Sequence, residues 1–216
     1  MLTHADLGTG INHRAIVNSY IQQHGINAVI DIGGAADRWV NSDNIKYANI
    51  DIQILQTSID QLQFKGNIST IRGWNDVLEY VKHNGKFDFS ICSHTLEDIS
   101  SPQLVCEMLN EISNGGYISF PSKYTELSRN IESSYRGYIH HRWIFDVRDV
   151  SIYAIPKLPL VEFKYAQLFD SISQKYTPDI YEWGILWTTD IPLTMINDDF
   201  MGPNIGALEA YYQTLG

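Results

Sequence analysis

The chain has 216 residues, 44% hydrophobic and 12% aromatic, with 25 acidic against 15 basic residues and a formal net charge of −10. That length suits one domain with a proper core, and the composition excludes a disordered chain. The acidic balance repels a phosphate backbone, and the lysines and arginines are scattered singly, so nucleic acid is not an expected partner.

The first residues, MLTHADLGTG, lack the basic and apolar regions of a leader, and no apolar run reaches the length of a membrane span. A soluble cytoplasmic protein without a membrane partner is expected, as a monomer or homodimer. The next stretch, INHRAIVNSYIQQHG, spaces Ile16 from Tyr20 and Val17 from Ile21 by four, with Gly25 as a stop, which predicts a helix. Strands are predicted at NAVIDI, at KYANIDI (46–52) and, more weakly, at FKGNISTI. Residues 74–81 read as a helix with Val77, Leu78 and Val81 on one face. FDFSICS (87–93) carries β-formers and few charges, as a strand covered on both faces does. Cys92 and Cys106 lie within predicted elements and read as buried free thiols.

A helix follows in which Ser101 can cap, Pro102 suits the first turn, and Leu104, Val105, Met108, Leu109 and Ile112 form an apolar stripe. It stops at Asn114-Gly115-Gly116, and GYISF begins another strand. Strands alternating with helices imply a parallel sheet with right-handed crossovers. Residues 122–145 are rich in Tyr, Ser, Arg and His without a clear period. Beyond Val150, SIYAIPK, LVEFKY and YEWGILW read as strands with little helix between them, an antiparallel edge to the parallel sheet. A short helix is expected at 207–212.

In such a sheet ligands bind beyond the C-terminal ends of the strands. The turn at 33–36, Gly33-Gly34-Ala35-Ala36, stands at such an end, where small residues let backbone N–H groups and a following helix N-terminus face an anionic group. Asp51 closes the next strand 20 residues after Asp31, the offset at which an acid accepts hydrogen bonds from a ribose diol. Together these point to a nucleoside-containing cofactor; the alternative is a plain turn with a solvated strand-end acid. The nicotinamide fingerprint needs a third glycine where Arg38 stands, and a phosphate-binding GK[ST] motif is absent.

The ordered series VIDIGGAAD, ANIDI, GNIS and FDFSICSHTLEDISSPQLVCEMLNEISNGGYISFPS, over about residues 28–122, resembles the class I S-adenosylmethionine-dependent methyltransferases, and among them the type 11 branch. GYISFPSKYTEL followed by HHRWIF is similar to a subset associated with glycan and cell-surface biosynthesis. The departures are Ala35 and Asp37 at the second and third motif glycines, Asn67 in place of an acid and Asp98 in place of a histidine. The resemblance implies a Rossmann-like α/β fold, a mostly parallel seven-stranded sheet with antiparallel C-terminal strands and helices on both faces. It implies one methyltransferase domain over 1–216: a helical segment at 1–26, a cofactor core at 27–121, an acceptor-binding insert at 122–149, and strands and a tail at 150–216.

The cofactor implied is S-adenosyl-L-methionine, held by Asp31, Gly33, Gly34, Ala35, Asp51, Ile52, Asn67, Ile68, Ser93 and His94, with Ile52 and Ile68 sandwiching the adenine. Methyl transfer to a hydroxyl of a small molecule or sugar is favoured, and a histidine is the usual base. His141 is expected to face the transferable methyl, with His94 as the second candidate base. Glu97, Ser122, Glu126, Tyr135, His140, Arg142 and Trp143 are the candidate acceptor-binding residues. Each histidine is also readable as a surface or hydrogen-bonded structural residue, and the aromatics of 135–145 as core. The spacing of His94, Glu126, His140 and His141 fits no metal motif, so no metal is expected. The competing readings are a non-catalytic protein on a degenerate methyltransferase fold, a nucleotide-dependent oxidoreductase or epimerase, and an interaction module.

Overall fold

The computed structural model describes residues 3–5, 13–34, 38–40, 42, 44–54, 61–149, 151–177, 180–196 and 204–215. Its elements are β1 (Thr3–Ala5), α1 (His13–Gln23), β2 (Ala28–Ile32), β3 (Lys46–Asp51), β4 (Leu62–Lys65), α2 (Asn75–Asn84), β5 (Phe89–Ser93), α3 (Pro102–Ile112), β6 (Gly116–Pro121), α4 (Lys123–Leu127), β7 (Trp143–Arg148), β8 (Ser151–Pro156), α5 (Ala166–Ser173), β9 (Glu182–Trp187), β10 (Leu193–Met195) and α6 (Ile205–Gln213). Two 3-10 turns, Ile71–Trp74 and Pro159–Glu162, lie ahead of α2 and α5.

Local sequence accounts for most of these. In α1 the four-residue spacing buries Val17 and Ile21. In α3 proline fits the first turn, where its missing N–H costs nothing, and Val105, Cys106, Leu109 and Ile112 are buried. Both cysteines are free and buried, as expected. Burial raises both thiols, that of Cys106 to about 12.

Seven strands form one sheet in the order β1-β9-β6-β5-β2-β3-β4. The pairs β4–β3, β3–β2, β2–β5 and β5–β6 are parallel. Every residue of β6 is buried, as are all but the first of β2, so these apolar runs need cover on both faces. The sheet is the expected Rossmann-like one. Its C-terminal strand β9 pairs antiparallel with β1, a three-residue strand in the segment expected to be helical; so short a strand shows no alternation to read.

Several local expectations are corrected. Residues 160–165 are not a strand: Pro159 opens a 3-10 turn that buries Val161, and α5 follows where little helix was expected. Nor do β7, β8 and β10 extend the main sheet; they form a second sheet, in the order β10-β8-β7, with β7 and β8 antiparallel. The weak strand expected at 64–71 is β4, which ends at Lys65. No helix follows the glycine turn among the described residues of 33–45.

The chain divides into two compact units, residues 1–6, 12–119 and 184–191 in the first, and 7–11, 120–183 and 192–216 in the second. The first contains β2, β3, β4, β5 and most of β6, the parallel strands of the seven-stranded sheet. The core of the second includes Leu127, Ile144, Ile155, Phe169, Leu208 and Tyr212.

Candidate functional site

From β2 the chain steps outward through β3 and β4, then returns to β5 and steps the other way to β6. Neighbouring strands whose connections diverge leave a crevice at their carboxyl ends. A cavity of about 330 Å³ lies there, within the ~300–1,000 Å³ usual for small-molecule sites. Each of the four strands contributes to its wall: Gly33 after β2, Asp51 and Ile52 at β3, Gly66, Asn67 and Ile68 after β4, and His94, Thr95, Asp98 and Ile99 after β5.

The glycine turn is explained from inside the protein. A Cβ on Gly34 would stand 2.4 Å from the Asp31 carboxylate, and one on Gly33 would stand 2.7 Å from Thr95 Cγ2. Gly33 also has φ +66°, which only glycine adopts without strain. Its N–H is engaged by the Ile50 carbonyl at 2.8 Å and is not presented to a ligand. Asp31 is 2% exposed and accepts the Tyr47 hydroxyl at 2.8 Å, while Asn49 Nδ2 donates to the Gly34 carbonyl at 3.3 Å. Burial raises the Asp31 carboxyl to about 7, against the Tyr47 hydrogen bond and the Arg14 charge, which lower it. Asp31 therefore supports the turn from behind. Ala35, the remaining expected contact of the turn, lies outside the described residues.

At the β3 end, Asp51 Oδ1 accepts the Gln53 N–H at 2.9 Å, which orients the carboxylate beside the cavity. Ile52 is 61% exposed and Ile68 is buried, so the cavity pairs an open apolar side chain with a fixed one. The Asn67 side-chain oxygen receives the Ser69 N–H at 3.0 Å, a local turn, and keeps a second lone pair. Trp74, fully buried, holds this loop by donating Nε1–H to the Ile68 carbonyl at 3.0 Å. Trp74→Phe leaves that carbonyl unsatisfied and should cost about 1–3 kcal/mol of unfolding free energy, read from urea denaturation.

His94 leaves β5 with φ +48°, an unusual backbone for a side-chain-bearing residue. Its Nδ1 lies 3.3 Å from Glu97 Oε1. Glu97 is 1% exposed, and its Oε2 has no hydrogen-bond partner among the described residues. Ser93 Oγ lies 2.9 Å from Ser119 Oγ and is not part of the cavity wall. Six of the ten residues expected at the cofactor line this cavity: Gly33, Asp51, Ile52, Asn67, Ile68 and His94. Gly66, Thr95 and Ile99 are further wall residues; they lie within the matched segments but were not among the residues expected at the cofactor.

The other expected residues belong to the second unit. Ser122 caps α4, accepting the Thr125 N–H at 3.2 Å and donating to the Ile180 carbonyl. Glu126, 1% exposed, lies with Oε1 2.6 Å from His141 Nδ1, and its Oε2 accepts Lys157 Nζ at 2.6 Å. His140 is exposed, with Nδ1 3.9 Å from a Glu132 oxygen. Its ring lies 4.5 Å from that of His141. Tyr135 is half-exposed, Arg142 is exposed, and Trp143 opens β7 opposite Pro156. Lys157 escaped the sequence reading because its partner Glu126 lies 31 residues away.

No family model matches the chain, and no curated protein matches it. Among solved structures it is similar to the methyltransferase domain of bacterial CtHen1-CN, at 12% identity and a TM-score of 0.45 over 81% of this chain and 96% of that one. It is also similar to the small RNA methyltransferase HEN1, at 10% and 0.43 over 82% of this chain and 25% of that one. A third is the N-terminal domain of EvdMO1 crystallised in the presence of SAH and D-fucose, at 9% and 0.37 over 82% of each chain. Among the described residues no helix is long and apolar enough to cross a membrane.

Proposed function

We propose that this chain is an S-adenosylmethionine-dependent methyltransferase that methylates a hydroxyl of a small molecule or of a sugar or glycan precursor. The observation that carries the reading is the switch-point cavity, where the oriented Asp51 carboxylate stands beside Ile52 and Ile68. A nucleoside asks for this chemistry: a carboxylate to accept the ribose hydroxyls and apolar faces for the base. Burying 61%-exposed Ile52 against a base would remove apolar surface from water. A dinucleotide is disfavoured because Arg38 stands where its fingerprint needs glycine.

When bound, the cofactor supplies an electrophilic methyl whose carbon–sulfur bond breaks as the acceptor oxygen attacks in line. The protein's part is to hold the reactants in line, exclude water and take up the hydroxyl proton. Asp51 and the isoleucines bind; His141 takes the proton. Pairing with Glu126 makes Nδ1 the proton-bearing nitrogen of His141 and Nε2 the accepting one. His94, with Glu97 behind it, has the same arrangement at the cavity itself.

Calorimetry tests the cofactor. S-adenosylhomocysteine should bind, and Asp51→Ala should weaken it by about 1.5–3 kcal/mol, the range for a hydrogen bond to a charged group. A wild type that binds NAD and not S-adenosylhomocysteine would overturn the reading. In a product-bound structure, Ile52 and Ile68 should both lie within about 4.5 Å of the adenine.

A further inference from the structure

The second unit holds a cavity of about 270 Å³. Two of its wall residues, Tyr135 and Ile139, are 50% and 63% exposed, and Leu158, Pro159 and Val161 add apolar surface. The polar groups facing it include Lys157 and His141, both tied to the buried Glu126. Lys157 Nζ donates to Glu126 at 2.6 Å and to the Tyr138 carbonyl at 2.7 Å. An ammonium has three N–H bonds, so these account for two of them.

Each charge at this cavity is matched within the unit. Lys157 has Glu126, Arg136 has Asp170 at 2.6 Å, and Glu162 has Arg129 at 3.1 Å. Walls so balanced offer no net attraction to a phosphate or carboxylate. They do offer a hydrogen-bond donor on Lys157 and the face of Tyr135. The volume falls just below the ~300–1,000 Å³ of drug-sized sites, room for a single ring.

We infer that this cavity binds a neutral ring bearing hydroxyl groups, with its apolar face on Tyr135 and a hydroxyl at Lys157. The inference rests on the methyltransferase reading only in making that ring the acceptor; binding itself needs no methyl donor.

Methyl-resolved NMR of the full chain, labelled at Ile, Leu and Val, tests it with methyl glucoside, methyl galactoside, methyl mannoside and myo-inositol as separate probes. At least one should give saturable shifts at Ile139, Leu158 and Val161. Tyr135→Ala, a change at a half-exposed site, should weaken that binding about fivefold to tenfold while leaving the remaining spectrum in place. Inorganic phosphate should leave the three signals unmoved. No saturable shift up to about 100 mM of any neutral probe, where a millimolar site would be filled, overturns the inference. So does a response to phosphate alone, or an affinity unchanged in Tyr135→Ala. S-adenosylhomocysteine, titrated into the same sample and read at Ile52 and Ile68, reports separately on the cofactor reading.

Discussion

Replacing His141 by alanine should lower methyl-transfer turnover by about 10²–10⁴-fold, the contribution usual for a general base, and leave S-adenosylhomocysteine affinity nearly unchanged. The expectation follows from how the ring is held. Glu126 engages Nδ1 at 2.6 Å, and both side chains are at least nine-tenths buried, so the imidazole is fixed in tautomer and orientation. Alanine removes the accepting nitrogen and leaves Glu126 with Lys157 as its remaining ion-pair partner. The alanine variant should be slower than the wild type in single-turnover rate as well as at steady state. Glu126→Gln keeps an acceptor for Nδ1 but removes the charge, and should fall between the two in single-turnover rate. Normal turnover by His141→Ala would pass the role to His94, beside Glu97, or to a reaction that needs no base.

Unfolding free energy should fall as pH rises from about 4 to about 7, and Asp31→Asn should remove Asp31's part of that fall. The folded carboxyl, raised by burial from 3.8 to about 7, keeps its proton through this window while the unfolded one loses it. Folded protein then binds more protons, so ∂ΔG/∂pH of unfolding is negative there. The stability is full below the unfolded value and lost by the folded one. A shift of about three units at about 1.4 kcal/mol each amounts to about 4 kcal/mol. The groups that act on Asp31 are Tyr47, whose hydroxyl donates to it, Arg14, which favours its charge, and Asp51, which opposes it. An asparagine presents the same oxygen to Tyr47 and does not ionise. Urea denaturation of both proteins at pH 4.5 and pH 8 measures most of the effect: the wild type should lose about 3 kcal/mol relative to the variant between them, since the unfolded carboxyl is already largely ionised at pH 4.5. A pH-independent difference would mean that Asp31 is ionised in the fold across the whole range.

The parallel core is legible in local sequence signals. NAVIDI, KYANIDI, FDFSICS and GYISF are short runs of β-formers with few charges, and the helix with Pro102 at its first turn has an i, i+4 stripe; both signals are local. Asp51 and Ile52 were legible as cavity residues for the same reason, since the end of a strand is visible along the chain and parallel strands present their ends together. What the glycines are for was not legible. Gly34 is small because the Asp31 carboxylate folds against it, and Gly33 because Thr95, 62 residues on, packs there. Sequence pattern showed β-forming runs at 151–157 and 181–187 but not which sheet each joins, because membership is settled by pairing partners: β7 and β10 for β8, and β1 and β6 for β9. The Glu126–His141–Lys157 group likewise needed the tertiary structure, since its members come from α4, the loop before β7 and the residue after β8. Local periodicity fixes an element and the face it buries, whereas a buried charge finds its partner only once distant segments have packed.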